Sequence, residues 1–139
     1  MKQHRSARIL ALASFAAFAA AALGACGDST GPLAPFQPQI NNAPDNFQFQ
    51  ATGVTNVTWT FNYTWSNSGT AASLNQATTV TSGTATVTIY DANGTQVYTN
   101  DLSANGTFPT STGVTGNWTI RVVFTNYSGP AVNFSVQKA

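Results

Sequence analysis

Glutamate is missing from this chain, and histidine and cysteine occur once each, as His4 and Cys26. Charge of either sign is scarce, with five Lys or Arg and four Asp in 139 residues. Each shortage removes a class of chemistry. A Ser-His-Asp or Cys-His nucleophile needs a histidine base, and His4 lies in a segment that reads as a discarded signal. Zinc and iron sites of the ordinary kind draw on His and Cys clusters, which this composition cannot build. No glycine-rich loop ends in a lysine to cradle phosphate. The chain is therefore expected to hold no metal or cofactor and not to be an enzyme.

The few charges are unevenly placed. Lys2, Arg5 and Arg8 crowd the first eight residues. Beyond residue 25, Arg121 and Lys138 face Asp28, Asp45, Asp91 and Asp101, two cations against four acids, for a net charge of −2. Such a surface has no electrostatic footprint for nucleic acid.

A long membrane-spanning run is also lacking. The apolar stretch from Ile9 to Leu23 covers about 15 residues, short of the roughly 20 that a spanning helix needs. A basic start followed by a short apolar centre is the pattern of a secretory signal. The run closes on Leu23-Gly24-Ala25-Cys26, which resembles the lipobox of bacterial lipoproteins. Gly24 is the less common of the small residues allowed at its place. The resemblance implies cleavage between Ala25 and Cys26 and lipidation of the Cys26 thiol, with more than one acyl chain giving stable anchorage. An ordinary secretory signal cut nearby would instead leave Cys26 as a spare thiol, a liability in an oxidising compartment. Gly27, rather than an acid, follows Cys26, which leans towards the outer membrane of a bacterial envelope.

The expected organisation is thus a signal at 1–25, a lipidated cysteine with a Pro-rich tether at 26–44, and a folded domain at 45–139. The tether holds four of the six prolines and is expected to be extended and semi-rigid. Phe36 and Ile40 are the residues there that would dock onto the domain if it began earlier.

Past Asp45 the apolar residues recur with period two, in Thr-, Val- and aromatic-rich segments of the kind strands prefer. Expected strands are Phe47–Ala51, Val57–Trp65, a short one near Ala77–Thr81, Thr84–Ile89, Gln96–Thr99, Trp118–Thr125 and Val132–Val136. Asp91-Ala92-Asn93-Gly94 reads as a hairpin turn, and Tyr127-Ser128-Gly129-Pro130 as a second turn. About seven short strands predict an all-β fold, a single antiparallel β-sandwich.

Val87-Thr-Ile-Tyr-Asp-Ala-Asn-Gly94, Gly116-Asn-Trp-Thr-Ile-Arg-Val122, Tyr127-Ser-Gly129 and Asn133-Phe-Ser-Val136 together resemble the bacterial pre-peptidase C-terminal type of immunoglobulin-like sandwich. That resemblance covers roughly residues 85–137 and implies a non-catalytic accessory or binding domain.

Candidate sites are few. Trp59, Tyr63 and Trp65, alternating with Phe61 on one strand face, read either as a sugar-stacking platform or as the inner face of the sandwich, where aromatics supply the most burial. Of these Trp65, at the end, is expected to be the exposed ring, whereas Trp118 is expected in the core. Asp91, Asn93 and Asp101 are oxygen ligands of the sort calcium takes, or the Asp pair a hydrolase would use. Hairpin hydrogen bonding accounts for them more simply. The seven Asn-x-Ser/Thr sequons follow from a chain this rich in Asn and Thr. The expected partners are the membrane, through the lipid, and a polysaccharide or an envelope protein.

Overall fold

The computed structural model describes residues 31–139. The signal, Ala25 and Cys26 lie outside the described residues. Seven strands follow a short 3-10 turn at Ala34–Phe36: β1 (Gln39–Ala43), β2 (Asn46–Asn67), β3 (Ala72–Gln76), β4 (Ser82–Tyr90), β5 (Gln96–Asp101), β6 (Gly106–Pro109) and β7 (Gly116–Lys138). All pairings are antiparallel. The fold is an all-β sandwich.

Two long strands make both layers. β2 and β7 pair from Asn46↔Gln137 to Asn67↔Gly116, with register shifts between Val54 and Val57 and between Val57 and Trp59. At these bulges Gly53, Asn56 and Asn126 adopt positive φ, of 61°, 50° and 46°. A bulge inserts a residue, sharpens the local twist and bends the strand. The bent ribbon folds over on itself. Phe47 and Tyr63 stand sixteen positions apart on one strand, which straight would separate them by about 50 Å, yet their ring centroids are 5.3 Å apart.

The first layer therefore holds β1, the first half of β2, the second half of β7, β3 and β6; the second holds the remaining halves of β2 and β7 with β4 and β5. Phe47, Phe49 and Phe134 from the first layer meet Tyr63 and Phe124 from the second through an aromatic chain. Trp65 and Trp118 pair edge to face at 6.0 Å across the neighbouring strands. Hydrogen bonds pin the bend: Asn126 N–H donates to Thr58 Oγ1 at 2.8 Å, and Asn56 N–H to Ser128 Oγ at 2.9 Å. The Tyr127 hydroxyl donates to the Thr79 carbonyl at 2.7 Å from a fully buried ring.

Four expectations are corrected. The folded region begins before residue 45, because Leu33 is buried in the core, Phe36 and Ile40 pack on it, and Gln39–Ala43 is a strand. Proline at 35 and 38 did not prevent this, since an edge strand tolerates proline next to it. Phe47–Ala51 and Val57–Trp65 are one strand, as are Trp118–Thr125 and Val132–Val136. Tyr127–Pro130 is accordingly a bend within β7 and not a turn. The short strand expected near Ala77–Thr81 begins earlier, at Ala72, where Leu74 supplies the buried side chain; beyond it Thr79 makes an isolated bridge to Ala131.

Candidate functional site

The aromatic stripe does not form a platform. Trp65 is fully buried, and its indole N–H donates to the Ala43 carbonyl at 3.1 Å. The expectation that its ring is exposed is overturned, because the β2 end that looked terminal in sequence is closed by β1 and the Asp45 turn. Tyr63 is half-buried against Phe47, Phe49 and Phe61. Trp59 alone of the three is open, at 54 % exposure, on the rim of the sandwich just after the bulge. Trp118 is fully buried, its indole N–H donating to the Val114 carbonyl at 2.7 Å.

The acids are turn residues. Asp91 is buried at the β4–β5 hairpin, where Oδ1 accepts from the N–H of Asn93 (3.0 Å) and Thr95 (2.9 Å) and Oδ2 from that of Val114 (2.9 Å). Asp101 caps its own turn by accepting from the Ser103 N–H and hydroxyl. It pairs opposite Thr86, five residues before Asp91, so the two positions are set about 16 Å apart in backbone rise along the hairpin. A calcium ion or a hydrolytic carboxylate pair shared by them is excluded by that geometry.

The N–H groups around Asp91, that of Thr95 foremost, hold its carboxyl below the ordinary carboxylate range. The Ser68 N–H and hydroxyl, with Lys138 beyond, do the same for Asp45. A depressed folded pKa contributes stability that is present above the unfolded value, about 4, and is lost as pH falls through the folded value. The described residues contain no histidine to titrate near neutrality. The melting temperature is thus expected to be flat from about pH 5 to 8 and to drop below about pH 4. Asp91→Asn should lower it at neutral pH and flatten the acid limb, which thermal denaturation at several pH values would measure.

What the second layer offers is its outer face. There the pairing aligns Thr99, Thr88, Arg121 and Asn62 in one row and Asp101, Thr86, Val123 and Thr60 in the next, across β5, β4, β7 and β2. Arg121 lies near the centre. Its Nε donates to Asn62 Oδ1 at 3.0 Å, its Nη1 to the Tyr90 hydroxyl at 3.2 Å, and its guanidinium stands 5.0 Å from the centre of the Tyr90 ring. Lys138 pairs with Asp45 at 3.7 Å, whereas Arg121 makes no ion pair among the described residues. The arrangement is a hydroxyl- and amide-rich surface with one cation held by side-chain hydrogen bonds. Arg121 alternates along β7 with the buried Trp118, Ile120 and Val122, which turns it to the outer face; its link to Asn62 and Tyr90 depends on strand order, which one sequence does not carry.

The buried Gln76 also escaped the sequence reading. Its Nε2 donates to the carbonyls of Asp101 and Ala104, both at 3.0 Å, and its Oε1 accepts from the Tyr98 hydroxyl at 2.6 Å. Every polar atom of the amide is used to tie β3 to β5 across the layers, so the group is structural. A small polar cleft of about 110 Å³ lined by Gln37, Gln39, Gln50, Ala51 and Thr52 lies by the β1 edge, too small for a sugar ring with its hydroxyls.

No family model matches the chain, and no curated protein matches it. Among solved structures it is similar to a chain in the structure of accessory secretory protein 1, 2 and 3 in Streptococcus pneumoniae, at 9 % identity over 73 % of this chain and 85 % of that one, with a TM-score of 0.37. It is also similar to an infectious bursal disease virus Gt strain protein, at 18 % identity over 73 % of this chain and 32 % of that one, with a TM-score of 0.28. Likenesses of that size carry no argument about function.

Proposed function

We propose that this chain is a bacterial lipoprotein, anchored in an envelope membrane through Cys26, which displays a non-catalytic β-sandwich as a binding or structural module. The observation that carries the reading is the closeness of the two parts. Leu33, the first core residue among the described residues, follows the lipobox cysteine by only seven positions. At most about 25 Å of chain separates the anchor from the packed domain. The Pro-rich segment is therefore largely part of the fold, and the domain sits against the headgroup region instead of on a long stalk.

The surface suits that place. Its polar faces are built from Thr and Asn with almost no charge, so neither leaflet chemistry nor ionic strength governs what they meet. The outer face around Arg121 is the surface offered to a polysaccharide or an envelope protein. Replacing Cys26 with Ala is expected to move the protein from the membrane fraction to the soluble fraction almost completely, with the melting temperature of the domain unchanged. Fractionation after high-salt and detergent washes reads this out. Retention of Cys26→Ala in the detergent-extracted fraction would sink the lipid anchor.

A further inference from the structure

Among the described residues, the second half of β2 is an open sheet edge. β1 covers β2 only from Asn46 to Gln50. Further on, the carbonyls on the side away from β7 are met at Ser66, by the Asp45 N–H (2.8 Å), and at Thr64, by Asn42 Nδ2 (2.9 Å). Backbone groups of alternate residues point to the same side of a strand. Asn62 and Thr60 therefore direct their N–H and C=O outward on that same side, where no strand pairs with β2 among the described residues. The stretch is in unbroken register with β7 from Trp59 to Asn67, so it is a regular template.

Sheet edges normally carry a charge, a proline or a cover that discourages pairing. The other edges here do. β6 ends in Pro109, β5 ends in Asp101 and has the Ser111 N–H on the Val97 carbonyl, and β1 is five residues long and runs into Asp45. Residues 52–67 contain neither a charged residue nor a proline. They also carry Trp59, one of two large apolar side chains that are exposed among the described residues.

We infer that this edge pairs with the same edge of a second copy of the chain, antiparallel across a two-fold axis near Phe61. The occupant follows from complementarity. An extended strand is what matches a row of alternating donors and acceptors. A strand that meets itself across a two-fold meets its own charges, and this one has none to repel. With the axis at Phe61, Thr60 exchanges both backbone hydrogen bonds with the partner's Asn62, and Trp59 comes opposite the partner's Tyr63. The exposed indole is then covered by a half-buried ring, on the face where both copies already carry aromatics. The joined second layers make one continuous sheet, with the Arg121 faces of both copies on one side. The pairing is a property of the domain and does not depend on the lipid.

The test is sedimentation velocity on the full chain in mild detergent over a wide concentration range, with tryptophan emission recorded on the same samples. A reversible monomer–dimer equilibrium is expected, with emission moving to the red on dilution as Trp59 is uncovered. Thr60→Lys places a cation on each strand and should weaken the dimer by about tenfold or more. Asn62→Pro removes an outward N–H at an edge position where proline is tolerated, and should leave only monomer. If Asn62→Pro does not fold, Thr60→Lys decides alone. A wild-type chain that is monomeric at every concentration overturns the inference, as does a dimer that both variants leave intact. A monomer whose edge takes up an unrelated extended peptide would assign the edge to a foreign strand and overturn self-pairing.

Discussion

Trp65→Ala is expected to destabilise the domain by about 3–5 kcal/mol, the range for removing a large aromatic from a packed core. The ring is fully buried, so the change deletes dispersion contacts on every side and leaves a cavity that a sheet-based core closes poorly. It also removes the edge-to-face partner of Trp118 and leaves the Ala43 carbonyl without the indole donor. That carbonyl belongs to β1, so the loss should loosen the N-terminal strand as well as the core. Trp65→Phe keeps most of the volume and should cost less, about 1–2 kcal/mol, chiefly for the lost hydrogen bond. Trp59→Ala, at an exposed rim position, should stay within about 0.5 kcal/mol for the fold. Urea unfolding of the three variants gives the order directly. Equal effects for Trp59 and Trp65 would overturn the assignment of one to the rim and the other to the core.

Gly83→Ala should cost nearly as much, about 2–5 kcal/mol, although it adds one carbon. Gly83 has φ +74°, where a side chain is strained by about 1–2 kcal/mol. A β-carbon there would also run into the backbone carbonyls of Asn126 and Thr125. These belong to the bend of β7, pinned by the Thr58 hydroxyl and flanked by the buried Tyr127, so the obstacle is main chain that cannot swing aside. Gly94→Ala is the control. It has a similar φ, +83°, with open space around it, so it should pay the conformational term alone. The difference between the two melting shifts measures the contact between β4 and the bend. If Gly83→Ala and Gly94→Ala are equally mild, the close approach is absent in solution.

The two changes probe different levels of the same chain. That Trp118 belongs to the core was legible in sequence, where it falls on the apolar face of a period-two segment; the burial of Trp65, expected to be the exposed end of its stripe, was not. Nor was the Gly83 approach, because it joins residues more than forty positions apart. The same divide runs through the candidate sites. The Asp91 turn was legible, as Asp-x-Asn-Gly places a carboxylate where the following N–H groups can reach it. The separation of Asp91 from Asp101 needed the hairpin register.

Composition and periodicity by themselves determined that the folded part is antiparallel β with a mixed aromatic core, and that the chain offers one His and one Cys, too few for a His/Cys cluster. They also singled out Cys26 as the residue to test for an anchor. Only the tertiary structure decided that two strands span both layers, that the domain reaches back to Leu33, and that Trp59 is open while Trp65 is closed. The physical reason is that period two reports which face of a strand is apolar but not where the strand bends or which neighbour lies beside it. Bulges at Gly53, Asn56 and Asn126 shift that face partway along, and just after Asn126 the residues Tyr127–Pro130 read in sequence as a turn. Burial at a strand end depends on what covers it, and here the cover comes from a segment whose prolines suggested it would stay outside the fold.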